Sequence, residues 1–279
     1  MAHNVLVVAN ETIAGRPLMD AVKSRHEAHD DARFHLVVPR TRPKHGNIIY
    51  DEAVRDAAQV RVDLALSYVS SLGIQVTGEV GDPDPYTATM DAAAVLRPHE
   101  IIVSTHPSTS SGWLRRDLID RIRAASSVPV EHVVTDLDRE GMLFTVTLVV
   151  ANRTATGEEL MQRLRAKAKE ESTRLFIVVV PQDGKDGHAP ANARRHLEGA
   201  LAQLREDGML ASGMIGDPDP YIATMNALQF YRVDEIVIST LGRQISGWLR
   251  SDLVERVRKV SNLPVDHVVA AEGAPVEAG

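Results

Sequence analysis

The sequence predicts an α/β protein made of two tandem open parallel five-stranded sheets, each with helices on both faces. Three observations lead there. The stretch 81–134, GDPDPYTATMDAAAVLRPHE through VPVEHVV, returns without a gap as 216–269. Roughly 30 of about 54 aligned positions are identical, so the chain is one unit written twice. That unit has the size of a domain and is too long for a solenoid repeat. Within each copy, short apolar β-branched runs alternate with helical patterns, which builds a parallel sheet covered on both sides. The runs are continuous and do not alternate with polar residues, as expected for strands buried on both faces.

Taken in order, VLVVAN (5–10) is the first strand and 16–28 the first helix, with Leu18, Ala21 and Val22 at helical spacing. RFHLVVP (33–39) is the second strand, followed by a polar, basic loop, RTRPKHGNIIY. A long helix over 51–71 carries Val54, Ala58, Val62, Ala65, Leu66 and Val69 on one stripe, and Gly73 ends it. IQVTGEV (74–80) is the third strand. Asp84 and Pro85 are the N-cap and first residue of a helix that runs to Leu96. EIIVST (100–105) is the fourth strand. A helix from Ser110 or Ser111 carries Trp113, Leu114, Leu118 and Ile122, and VPVEHVV (128–134) is the fifth strand. TDLDREG (135–141) is a short polar linker. The second copy repeats the order: strand 143–152, helix 157–171, strand 174–181, helix 190–206, then the remaining elements at a constant offset. Domain boundaries are expected at 1–135 and 142–270, with a small polar tail, 271–279, expected to be disordered.

Composition narrows the function. Apolar residues make up 44% and charged residues 25%, the values of a soluble globular chain. The net charge of −7 argues against broad nucleic-acid binding. The absence of cysteine removes disulfides, thiolate catalysis and thiolate zinc sites, and fits a reducing, cytoplasmic setting. MAHNVLVVANETIAG has no basic leader region and reads as a strand, and no apolar run has the length of a membrane span. Catalytic signatures are absent: no Gly-x-Ser-x-Gly elbow, no His-Glu-x-x-His, no Gly-x-x-x-x-Gly-Lys loop. The expectation is a protein that is not an enzyme, or at most one that slowly hydrolyses what it binds.

The most telling part of each repeat is its end: a strand closing in Ser-Thr, a loop, a helix, then a Val-Pro-Val or Leu-Pro-Val strand. In this the chain resembles the universal stress protein family over the whole of both repeats. The resemblance implies an adenine nucleotide of the ATP or AMP class at the carboxyl edge of the sheet, with magnesium present only through the nucleotide. It implies a role in stress response. It also implies intrachain pairing of the two domains as a pseudo-dimer through 128–134 and 263–269, which carry His132 and His267. In the family a Gly-x-x-Gly, about nine residues, then Gly-Ser cradle the phosphates, because glycines and a helix N-terminus present backbone N–H groups to an anion. Here the first repeat reads Ser104-Thr105-His106-Pro107, with no glycine. The second reads Ser239-Thr240-Leu241-Gly242-Arg243 and keeps one. Arg116-Asp117 and Ser251-Asp252 stand where the family has Gly-Ser, placing an Asp in the first turn of the helix. Asn10 and Asn152 end the first strands, where nucleotide-binding members place Asp against the base.

GDPDPY is the sharpest repeated motif. A local reading makes it a turn and a cap; a functional reading makes Asp82 and Asp217 ribose or amine contacts, since loops at the carboxyl strand ends frame the crevice of such folds. Trp113 and Trp248 either pack at a helix start or between domains, or wall a base. The candidate nucleotide-binding residues are therefore Asn10, Asp82, Ser104 and Arg115 in the first repeat, and Asn152, Asp217, Ser239, Gly242, Arg243 and Ser251 in the second, with the second favoured by Gly242. The alternative is a scaffold of the same fold that binds no nucleotide and acts through protein partners.

Overall fold

The computed structural model describes residues 2–40, 51–107, 117–170, 173–182, 189–242 and 252–270. The chain forms two compact units, the first closing at Leu143 and the second opening at Phe144. In the first unit the order is β1 (His3–Val8), a 3-10 turn (Glu11–Ala14), α1 (Arg16–Ala28), β2 (Ala32–Pro39), α2 (Asp51–Ser71), β3 (Val76–Gly81), α3 (Pro85–Leu96), β4 (Glu100–Thr105), α4 (Leu118–Ala125) and β5 (Val130–Val134), then a one-turn helix α5 (Leu137–Glu140). The second unit has β6 (Thr145–Val150), α6 (Glu158–Ala168), β7 (Arg174–Pro181), α7 (Ala189–Glu206), β8 (Leu210–Gly216), α8 (Pro220–Phe230), β9 (Glu235–Leu241), α9 (Leu253–Ser261) and β10 (Val265–Ala270).

Each unit holds one five-stranded sheet, in the order β3-β2-β1-β4-β5 and, the same order in the repeat, β8-β7-β6-β9-β10. Every neighbouring pair is parallel. The central strands are buried on both faces, as their continuous apolar runs require: β7 is buried along its whole length. On one face of the first sheet Leu6, Val8, Val37, Ile101 and Val103 pack against Ala88 and Ala92 of α3 and Leu118 and Ile122 of α4. On one face of the second sheet Val149, Phe176, Val178 and Val237 pack against Leu160 and Leu164 of α6 and Leu197 and Leu204 of α7. With so few aromatics, these cores are aliphatic and depend on close interdigitation.

Two local readings need correction. The expected helix from Ser110 or Ser111 through Ile122 is not continuous, because Asp117 adopts a left-handed backbone (φ 49°) and α4 starts only at Leu118. Asp252 does the same before α9. Both aspartates sit at the N-cap position, ahead of the first turn and with no side-chain cap hydrogen bond; the acidic residues of the first turn are Asp120 and Glu255. The linker 135–141 is also more structured than its polarity suggested. Asp136 caps α5, Leu137 is buried, and Met142 bridges to Gly15. The basic loop after β2, the Gly-Trp-Leu-Arg segments with Trp113 and Trp248, and the tail 271–279 lie outside the described residues.

Candidate functional site: the carboxyl edges of the central strands

In both sheets the chain reverses its direction of travel across the sheet between the first and fourth strands of the unit. The carboxyl ends of those strands frame the crevice where ligands usually bind in open parallel sheets. Asn10 follows β1 and Ser104 and Thr105 close β4; Asn152 follows β6 and Ser239 and Thr240 lie near the end of β9. The fold therefore brings Asn10 to Ser104, and Asn152 to Ser239 and Gly242. It does not bring Asp82 or Asp217 there. These follow the edge strands β3 and β8, two strands away from the reversal, about 10 Å by strand spacing. Arg115, Arg243 and Ser251 lie outside the described residues.

The two floors differ in how their polar atoms are satisfied. In the first unit Thr12 Oγ1 donates to the Ser104 carbonyl (3.3 Å), and Ser104 Oγ pairs with Thr135 Oγ1 (3.2 Å). Asn10, 6% exposed, leaves its Oδ1 without a partner among the described residues. In the second unit the pattern inverts. Thr154 and Ser239, 4% and 1% exposed, have hydroxyls with no partner among the described residues. The cause is visible in the repeat: Ala270 stands where the first unit has Thr135, so Ser239 loses its partner. Asn152 is instead held at both ends of its amide. Its Nδ2 donates to the Pro181 carbonyl (2.7 Å), and its Oδ1 lies 2.7 Å from His196 Nδ1.

The rims differ in charge. Glu11, beside Asn10, pairs with His106 (3.1 Å). The matching position in the second unit is Arg153, which is exposed. The charge of the side chain that follows the strand-end asparagine is thus reversed between the two units. Below each rim a histidine from the edge strand reaches the strand-end threonine: His132 Nε2 lies 2.8 Å from Thr105 Oγ1, and His267 Nε2 lies 2.9 Å from Thr240 Oγ1.

Asp82 and Asp217 have local duties. Each accepts from the backbone N–H two residues on, Asp84 or Asp219, at 2.8 Å. No group of three or more His, Cys, Asp or Glu side chains among the described residues could hold a metal ion. Arg153 and His196 were not singled out from the sequence. Aligning VVANET with VVANRT exposes the first as a charge reversal. His196, and Arg61 at the same register of α2, are polar residues beside an apolar helical stripe, the signal that could have found them.

No protein-family model matches the chain, and no curated protein matches it. Among solved structures it is similar to a universal stress protein from Archaeoglobus fulgidus, at 15% identity and a TM-score of 0.33, covering 96% of this chain and 97% of that one. It is also similar to a protein from Pseudomonas aeruginosa described as a universal stress protein, at 15% identity and a TM-score of 0.31, covering 96% and 94%. The fold class rests on the strand order and parallel register of the two sheets. No helix among the described residues is long and apolar enough to cross a membrane.

Proposed function

We propose that the chain is a regulatory protein of the universal stress type that binds an adenine nucleotide in the second repeat. The observation that carries this reading is the pair of buried hydroxyls, Ser239 Oγ and Thr154 Oγ1, that have no partner among the described residues, with the exposed Arg153 next to Thr154 in the chain. A buried hydroxyl left unpaired costs about 1–3 kcal/mol, which a ligand's oxygens would recover. In this reading Ser239 and Thr154 donate to ribose or phosphate oxygens. Arg153 supplies the positive charge, Gly242 leaves its backbone N–H open to close approach, and Asn152 meets the base. Magnesium enters only with the nucleotide. No catalytic step is assigned.

The first repeat favours a second reading. Its hydroxyls have partners, Ser104 with Thr135 and Thr12 with the Ser104 carbonyl, and Glu11 follows Asn10, which suits a unit that binds no nucleotide. Extended to the whole chain, that is the scaffold alternative, in which the protein acts through protein partners. Thermal unfolding with and without millimolar ATP and magnesium separates the two. Nucleotide at about 100 times its dissociation constant adds about 2.7 kcal/mol to stability, and the gain should shrink in Ser239→Ala and Arg153→Glu but survive Ser104→Ala. No response to ATP, AMP or cyclic AMP leaves the scaffold reading.

A further inference from the structure

His196 sits on the flank of the buried stripe of α7, three residues after Ala193, and its Nδ1 meets Asn152 Oδ1. The orientation of the Asn152 amide follows from its other contact. A carbonyl can only accept, so the group facing Pro181 O must be the NH2. The amide oxygen then faces His196, and His196 must carry its proton on Nδ1. Asn152 is only 5% exposed, so turning the amide over would break two buried hydrogen bonds together. It retains one lone pair on Oδ1 and one N–H on Nδ2, with the acceptor on the α7 side and the donor on the β7 side.

We propose that His196 is a positioning residue that makes the second crevice selective for an amino-purine over an oxo-purine. This rests on the nucleotide reading of that crevice. Adenine offers an exocyclic amine donor beside a ring-nitrogen acceptor, which complements the fixed Oδ1 and Nδ2 of Asn152. Hypoxanthine or guanine puts a carbonyl where the amine stands, opposite Oδ1, and the locked amide cannot turn to meet it. The first repeat lacks this arrangement: the register of His196 is held by Arg61, and Asn10 Oδ1 has no partner among the described residues.

The test is the ratio of dissociation constants for ATP and inosine triphosphate on the intact chain, measured by titration. The parent prefers ATP by about tenfold or more, the discrimination expected of one mispaired buried group. In His196→Leu the ratio falls towards one, while His196→Gln, which can still donate to Asn152, restores it. A merely structural role would lower both affinities alike. An unchanged ratio in His196→Leu overturns the proposal. If neither nucleotide binds the parent, the nucleotide reading itself falls. The selectivity claim falls with it, and what remains, that His196 fixes the orientation of the Asn152 amide, is decided by the imidazole nitrogen resonances of His196: a proton on Nδ1 upholds it, and a bare Nδ1 overturns it. The same resonances decide the matter if His196→Leu does not fold.

Discussion

His132 and His267 occupy equivalent places on β5 and β10, and the pKa of each imidazole is held below 6.5. Burial is the larger cause in both; Arg123 adds to it at His132 and Arg258 at His267, while Asp266 opposes it at His267. Thr105 also donates its hydroxyl proton to the His106 carbonyl (3.0 Å), which leaves its oxygen to accept from His132 Nε2–H. In the unfolded chain both histidines titrate near 6.5 and so take up protons first. Their contribution to stability is therefore full above that pH and declines as the pH falls through it. Denaturant unfolding at pH 7.5, 6.5 and 5.5 should show this loss, and His132→Gln with His267→Gln should flatten it. An equal slope in the parent and the double variant would contradict the assignment.

At the scale of elements, the junctions β3–α3 and β8–α8 explain why GDPDPY occurs twice. A Cβ on Gly81 would lie 2.7 Å from Val37 Cγ1 and 2.8 Å from Ala88 Cβ; on Gly216 it would lie 2.7 Å from Ala223 Cβ. Glycine is required for helix and strand to approach this closely. Asp84 accepts from Thr87 N (3.1 Å), and Asp219 from Tyr221 N (2.8 Å). Tyr86 and Tyr221 receive Arg121 and Arg256 over their rings, at 4.1 and 3.9 Å, which ties α3 to α4 and α8 to α9. Asp84→Ala and Asp219→Ala should each cost about 0.5–2 kcal/mol in denaturant unfolding. Asp217→Ala should cost about 0.5–1 kcal/mol, one exposed-turn hydrogen bond, and leave the response to ATP unchanged. Loss of that response would return Asp217 to the site.

These junctions also mark how far the sequence could be read. The strands, the cap and the proline were legible because each depends on neighbours in the chain. The roles of Tyr86 and Tyr221 were not, because their arginine partners stand about 35 positions away and only packing joins them. The left-handed Asp117 and Asp252 were missed because aspartate reads more readily as a helix start than as a break. The resemblance pointed to Asn10, Ser104, Asn152, Ser239 and Gly242, which the fold places at the carboxyl ends of the central strands. The bond from Asn152 to His196 needed the fold, since it joins a strand end to a helix 44 residues on.

Across the whole molecule, each unit braces the edge of its sheet opposite the crevice with charge. In the first unit Arg25 bridges Glu100 (3.2 Å) and Glu131, and His3 joins Glu100 (3.1 Å). In the second, Lys167 meets Glu235 (2.7 Å), and Arg174 bonds both Glu235 and Thr147. Burial alone would raise the Glu235 carboxyl, but hydrogen bonds from Lys167 and Thr147 and the charges of Lys167 and Arg174 hold it below its ordinary value. The repeat has thus kept its frame in both copies. Its crevices have diverged through a few exchanges: Thr135 for Ala270, Glu11 for Arg153, and His106 and Pro107 for Leu241 and Gly242. That divergence is the central claim, and calorimetric titration of the intact chain with ATP and magnesium tests it most directly. The account predicts one site per chain, abolished by Arg153→Glu combined with Ser239→Ala. Two equal sites, or a single site that survives that double substitution, would contradict it.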